Sequence, residues 1–404
     1  MNDNGDKIYD VGIIGSGIAG SFAALRLAQK HNVKSILFEL GAKPQKRRRQ
    51  CEGFLGCFPT TDGKIYKNDI DSVLNISDGR RVKAINNWVF ETFEEAGPMK
   101  LVKTASPSAQ TQKKIKEHNF VIKTHNYYQW NPNSIHQLSR NISNQIENNI
   151  DLSFDNEVYS LSKKKNVFIV HSNDGDYQCK KIIFAAGRSG WRWSTKVFSQ
   201  LGILENNDVS RFGIRIELPA QYMKEFNKSH CSLKRDDLEL GPFSWGGTVI
   251  PEDHADLVIS AFRSNEDRWK TDKVCFSLLK SVNFADEACY QTDRLAKLTF
   301  LLFNDRVSKE KIRFFMKGES QLSLLPEYNW LKESLNEIGD IMPYILTKGS
   351  FHVPNIDPMA GKVKLGSNLE SEIDGLFIVG ESAGIKGIAA AAIMGGVAAD
   401  SICK

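Results

Sequence analysis

The sequence predicts an α/β protein in which both chain ends build one domain and the middle supplies a second, mixed α+β domain. Three observations carry this. Near the amino end a short apolar strand runs into a glycine-rich turn and a helix. Near the carboxyl end the same order of strand, glycine-rich turn and helix returns. Between 191 and 354 the pattern changes to short β-rich runs among helical stretches. A chain of 404 residues, 41% hydrophobic and 25% charged, is long enough for two to three domains of ordinary globular composition. Its core needs no disulfide or metal staple.

Residues 8–14 (IYDVGII) form a β-branched run suited to a buried parallel strand. They lead into Gly15-Ser16-Gly17-Ile18-Ala19-Gly20, a GxGxxG. Ala19, Phe22, Ala23, Leu25, Leu27 and Ala28 then follow at helical spacing until His31 and Asn32 break it. A second apolar run, Ser35 to Phe38, ends at Glu39 and Leu40, with Glu39 nineteen residues after Gly20. Gly15 allows the tight turn, Gly17 lets a pyrophosphate approach the backbone, and Gly20 lets the helix pack closely on the strand. Free N–H groups at the helix start favour phosphate charge. Glu39 stands where a carboxylate accepts the ribose hydroxyls of an adenosine. A GxGxxG alone is weak, but between strand and helix, with an acid at this distance, it reads as a dinucleotide site. The acid disfavours a 2′-phosphate, leaving FAD or NAD(H) rather than NADP(H). The amino end does not choose between those two.

The carboxyl end does. Ile373 to Val379 gives a strand ending in Gly380-Glu381, followed by Ser382-Ala383-Gly384-Ile385-Lys386-Gly387-Ile388 and a helix of small residues, Ala389 to Ala399. This is similar to the second flavin-binding motif of two-part FAD enzymes. The resemblance implies that the Glu381 carboxylate or backbone meets the ribityl or pyrophosphate part of FAD. It also implies that the helix start at Gly387 and Ile388 points its dipole at the flavin N1/O2 edge, where a reduced flavin is negative. A third piece lies between. Lys181 to Ala185 is an apolar strand followed by Ala186-Gly187-Arg188-Ser189-Gly190-Trp191, which resembles the Ala-Thr-Gly segment of dinucleotide-binding proteins. Before it, residues 131–134 (NPNS) cap a helix through Ile135, Leu138, Ile142 and Ile146. Asp151 to Leu161 reads as one strand whose Glu157 and Val158 meet the adenine through backbone groups. Val167–Val170, the turn at 173–175 and Tyr177–Lys181 read as a hairpin.

With these residues in place, the chain resembles FAD-dependent oxidoreductases with a single nucleotide-binding domain, and among them a group of poorly characterised bacterial FAD-dependent dehydrogenases. The likeness runs from about Tyr9 to the C-terminus. It includes Thr61-Asp62-Gly63-Lys64, FAAGRSGW at 184–191, FGIRIE at 212–217 with Pro219, Gly246-Gly247 with Val249, and GIKGIAAAA at 384–392. The implied architecture is a Rossmann-like FAD-binding domain formed from both chain ends (1–190 and 355–404), with a substrate or cap domain (191–354) inserted so that its sheet faces the flavin. Relatives often carry several closely spaced cysteines before the Thr61 loop. This chain has only Cys51 and Cys57 there, with five residues between them rather than the four of disulfide reductases, and no second GxGxxG. They read as ordinary thiols. The seven cysteines show no zinc-type spacing, so no metal is expected, and reduced thiols suit a cytoplasmic protein.

The cofactor is thus expected on Gly15, Ser16, Gly17, Ile18, Ala19, Gly20, Glu39, Leu40, Val158, Ala186, Gly187, Gly380, Glu381, Gly387 and Ile388. Arg49, from the cluster Arg47, Arg48 and Arg49, is expected to neutralise its diphosphate. In the middle domain, strands are expected at Phe212–Leu218, Phe243–Ile250 and Leu257–Phe262, and helices around Lys270–Ser281 and Tyr328–Ile338. Trp245, Arg263 and His352 are the candidates for the substrate pocket, and no catalytic residue is identified. The function expected is FAD-dependent oxidation or reduction, with hydride or electrons passing between a small or medium organic substrate and the flavin N5. Substrate, direction, electron partner (dioxygen, NAD(P)H, a quinone or another protein) and oligomeric state stay open. Two alternatives stand beside it. One is a flavoenzyme acting on a nucleic-acid base, drawing on the basic clusters at 43–49 and 163–165. The other is a non-enzymatic FAD-bound regulator or scaffold. No stretch has the apolar length of a membrane span, and the first seven residues lack the apolar core of a secretory signal.

Overall fold

Ile8–Ile14 (β1) is buried over its last four residues and lies between two parallel neighbours, Ser35–Phe38 (β2) and Gly175–Phe184, so it needs apolar side chains on both faces. The computed structural model describes residues 7–29, 33–66, 68–206, 209–254, 257–264, 266–283, 288–357 and 361–403. The helix break expected at His31 and Asn32 lies outside them. Helix α1, Ile18–Ala28, buries ten of its eleven residues and connects β1 to β2. Helices α2 (Asp69–Leu74), α3 (Gly79–Ala96) and α4 (Pro132–Ile146) come next in the same unit. Asn131 caps α4 as expected, its side chain accepting from Ser134 N at 2.8 Å.

The strand expected from 151 to 161 is two. Asp151–Ser153 (β3) runs parallel to β2, and Val158–Lys164 (β4) pairs antiparallel with Val167–Ser172 (β5). Between them Asp155 takes a φ of +52°, and Asn156 donates its N–H to Glu39 O at 3.0 Å. That polar corner redirects the chain from one end of the sheet to the other. The hairpin of β5 with β6 (Gly175–Phe184) forms as read. Helix α5 (Trp191–Leu201) follows, then β7 (Leu376–Ile378), which pairs parallel with the end of β6, and α6 (Ile388–Ile402). The sheet order is β3-β2-β1-β6-β5-β4, with β7 also beside β6. Both chain ends therefore enter one sheet. Helices α1 and α6 meet at Gly395, where any Cβ would run into the Ala19 carbonyl.

The chain divides into two compact units, residues 1–100, 128–206 and 360–404, and residues 101–127 and 207–359. The sequence drew these bounds at 190/191 and 354/355 and did not separate 101–127. Helix α5 lies in the first unit. The strand Val121–Thr124 pairs with Cys231–Arg235, which draws 101–127 into the second.

The second unit is built on a seven-stranded sheet, in the order Ser308–Lys311, Ser350–Asp357, Val209–Pro219, Lys273–Asn283, Leu238–Trp245, Cys231–Arg235 and Val121–Thr124, with antiparallel neighbours. The helix expected around Lys270–Ser281 is instead the strand Lys273–Asn283. Six consecutive residues of it, Val274 to Leu279, are buried, because it is paired on both edges and covered on both faces. Such a run shows no alternation. The run expected over Phe243–Ile250 is two strands, broken where Gly246 takes a φ of +77°. The second of them, Thr248–His254, forms a hairpin with Leu257–Arg263. The helix expected near Tyr328–Ile338 spans Trp330–Ile341.

Candidate functional site

The glycine-rich turn is fixed from three sides. Gly15 donates to Phe38 O at 2.8 Å and takes a φ of +94°, with the Ala185 carbonyl where a Cβ would sit. A Cβ on Gly20 would run into the Gly15 carbonyl, so α1 starts directly on the turn. Gly17 differs. Nothing lies within 4 Å of where its Cβ would be, and as the N-cap of α1 it brings no side-chain cap. The turn thus leaves open space and uncapped amide donors at one place, the requirement for a phosphate. Ser16, Ile18, Ala19 and Gly20 around it are buried.

Glu39 is buried and holds that turn. Its Oε2 accepts from Ser16 N at 2.8 Å and Ser16 Oγ at 2.7 Å, and its Oε1 from Gly41 N at 2.7 Å and Gly53 N at 2.9 Å. Four donors on one carboxylate lock the strand end to two loops, a role that spacing alone does not reveal. Leu40, next to it, is exposed. Val158 is buried at the start of β4, and the neighbouring Glu157 carbonyl accepts from Asn173 N at 3.0 Å.

Among the clustered arginines, Arg47 organises the following loop. Its guanidinium donates to the carbonyls of Gln50 (3.1 Å), Glu52 (2.8 Å), Gly56 (2.7 Å) and Phe54. Leu55 N in that loop donates to Ser16 O at 2.8 Å, which seats the loop against the glycine turn. Arg49 is exposed and pairs with Glu52 at 2.8 Å, and Arg48 with Asp155 at 3.3 Å. Cys51 and Cys57, in the same loop, are not disulfide-bonded.

At the carboxyl end Gly380 takes a φ of +65°, and the Glu381 carboxylate pairs with Arg188 (Nη2 at 2.7 Å, Nε at 3.2 and 3.3 Å). The Arg188 pair joins the segment after β6 to the segment after β7. So does Gly187 N, which donates to Ser382 Oγ at 3.0 Å beside Ala186. Ile388 opens α6 after Gly387, whose φ is +114°. Asp69, which no motif singled out, reaches this helix start: the Ala389 N–H hydrogen-bonds its carboxyl. Burial pushes that carboxyl up to about 7, against the lowering effect of the Ala389 N–H.

The structure brings Gly15 to Gly20, Glu39, Ala186, Gly187, Gly380, Glu381, Gly387 and Ile388 into one unit, at the ends of adjacent parallel strands and the starts of α1 and α6. The open side of Gly17, the uncapped start of α1 and the anchored acid fit a dinucleotide. The three pocket candidates belong to the other unit and to separate networks. Trp245 donates to Ser229 O at 2.8 Å. Arg263 is buried, 3.8 Å from Glu266 and over the Trp269 ring. His352 is buried 3.6 Å from Glu217 Oε2, and burial lowers its pKa despite that neighbour. Glu217 is the acid that sequence reading missed. Burial alone would raise it, but His352, Lys309 and Lys273 (2.9 Å) hold it well below the usual carboxylate range.

Residues 9–207 match the family model for pyridine nucleotide-disulphide oxidoreductases. Over that stretch, just under half of the chain, the likeness is to a family of oxidoreductases. A search of curated proteins finds no match. Among solved structures, the chain is similar to glycine oxidase from Geobacillus kaustophilus (12% identity, 98% of this chain and 94% of that one, TM-score 0.45). It is similar also to a flavoprotein/dehydrogenase from Cytophaga hutchinsonii (12%, 98% and 78%, TM-score 0.43) and to L-proline dehydrogenase from P. horikoshii (11%, 96% and 91%, TM-score 0.43). Among the described residues no helix is long and apolar enough to cross a membrane.

Proposed function

We propose that the first unit holds FAD between the two chain ends, and that hydride or electrons pass between a small or medium organic substrate and the flavin N5. Gly15 to Gly20, Glu39 and Leu40 hold the adenosine and diphosphate half. Val158 joins them at the adenine, and Ala186, Gly187, Gly380, Glu381, Gly387 and Ile388 hold the rest, with Arg49 exchanging its exposed pairing with Glu52 for the diphosphate. FAD, when bound, supplies the two-electron chemistry. The chain's own residues supply position and field: the α1 start faces phosphate charge, and the α6 start faces developing negative charge. Carrying this reading is one observation, the buried Glu39 carboxylate clamped to Ser16 beside a Gly17 whose outer side is empty.

The cytoplasm suits seven cysteines of which none is in a disulfide. The basic clusters lend little to a nucleic-acid substrate, since Arg47 is taken by loop carbonyls and Lys163 hydrogen-bonds the Asp374 carbonyl. Anaerobic mixing of the yellow protein with amino acids, amines and hydroxy acids, followed by flavin absorbance, tests the enzymatic reading. Bleaching by one class supports it. A flavin that no organic substrate or reduced nicotinamide bleaches contradicts it and favours a scaffold.

A further inference from the structure

The start of α6 carries a carboxyl that dinucleotide binding does not require. Asp69 opens α2, and its side chain occupies the place where a Cβ on Gly387 would stand, so a side chain at 387 would collide with Oδ2. One side of the carboxyl meets the Ala389 N–H, while Oδ2 is buried with no hydrogen-bond partner. A charged oxygen buried without a partner is unfavourable, and a proton on the carboxyl removes the buried charge. The geometry is a carboxyl held at a helix start with one oxygen uncommitted.

We propose that Asp69 is a positioning residue for the bound flavin: it takes up a proton when the flavin is reduced and so sets the flavin's reduction potential. This rests on the reading above, in which the α6 start faces the flavin N1/O2 edge. Hydride from the substrate carries two electrons and one proton to N5 and leaves a negative charge on the pyrimidine side. An ionised Asp69 there opposes that charge, and a proton taken from solvent onto Oδ2 relieves it.

Charged groups on the elements packed against α2 and α6 are Asp71 on α2; Arg80, Arg81, Lys83, Glu91, Glu94 and Glu95 on α3; Asp176, Lys180 and Lys181 on β6; Lys64, paired with Asp62; Glu381, paired with Arg188; Lys386; and Asp400, paired with Arg26. None of them is among the effects on Asp69, which are burial, upward, and the Ala389 N–H, downward. With its ionisation near neutrality, both protonation states fall within the working range.

Spectroelectrochemical titration of the FAD-loaded full chain and of its Asp69→Asn variant, from about pH 5 to about pH 9, tests this. Asn keeps an acceptor for the Ala389 N–H and cannot ionise. The two potentials are expected to coincide on the acid side. Above about pH 7 the unsubstituted protein should become the more negative, taking up one extra proton per two electrons. Equal potentials throughout overturn the proposal while leaving FAD binding intact. If the variant does not fold, the unsubstituted protein decides alone, because a potential that fails to steepen through neutral pH overturns it too. A chain that takes up no FAD overturns the underlying reading and this one with it.

Discussion

Glu39 and Glu217 are both buried carboxylates, yet they do different work. Glu39 gives its four bonds to backbone and serine donors that shape the glycine turn. Glu39→Gln replaces one accepting oxygen with a donor, which faces N–H groups it cannot satisfy. Charged hydrogen bonds are worth about 1.5–3 kcal/mol, so FAD affinity should fall about ten- to a hundredfold by titration of the apoprotein. The ribose lies away from N5, so flavin reduction at saturating FAD should recover to near its original rate. Unchanged affinity with a collapsed rate would refute the assignment.

Glu217 is instead a structural anion between Lys273 and Lys309. Its folded pKa lies below its unfolded value of 4.5, so its contribution is present above about pH 4.5 and is lost as the pH falls through the folded value. Glu217→Gln should lower stability by about 1–2 kcal/mol at neutral pH, the lysines being part exposed, and the gap should close in acid. Denaturant melts at several pH values measure it. A gap that persists in acid contradicts the ion-pair account.

At the scale of elements, what was legible in the chain followed from local rules. The amino-terminal strand, turn and α1 were readable because each glycine answers a nearby steric demand, and α4 because Asn131 caps it. Lys273–Asn283 misled because a central strand covered on both faces loses its alternation, and the single strand expected over 151–161 because the corner at Asp155 is a backbone event. Asp69 could not be found at all, since only the fold brings α2 to the start of α6. The two glycines of the turn separate packing from binding. Gly20→Ala should destabilise the apoprotein by several kcal/mol, because α1 cannot move off the Gly15 carbonyl. Gly17→Ala should leave the apoprotein's melting temperature nearly unchanged but weaken FAD binding, its methyl entering the space kept for phosphate. Equal melting losses in both would show that Gly17 serves packing alone.

Over the whole molecule, both chain ends in one sheet were readable from two separated strand–turn–helix motifs. The membership of 101–127 in the second unit was not, because it depends on pairing with a distant strand. Trp245, Arg263 and His352 are pocket candidates by residue type alone, and the networks they enter carry no sequence signal. The match to a disulphide oxidoreductase family extends over 9–207 and includes Cys51 and Cys57. Replacing both by Ser should leave substrate-driven flavin reduction nearly unchanged in stopped-flow, and loss of reduction with FAD still bound would assign them a redox role.

The most direct measurement of the central claim is the identity of the cofactor released by the denatured, purified chain. An adenosine half anchored at Glu39 and Ser16 has no use in binding FMN. The chain should be yellow and release FAD. A colourless protein that also fails to take up added FAD, or one that releases FMN, would contradict it.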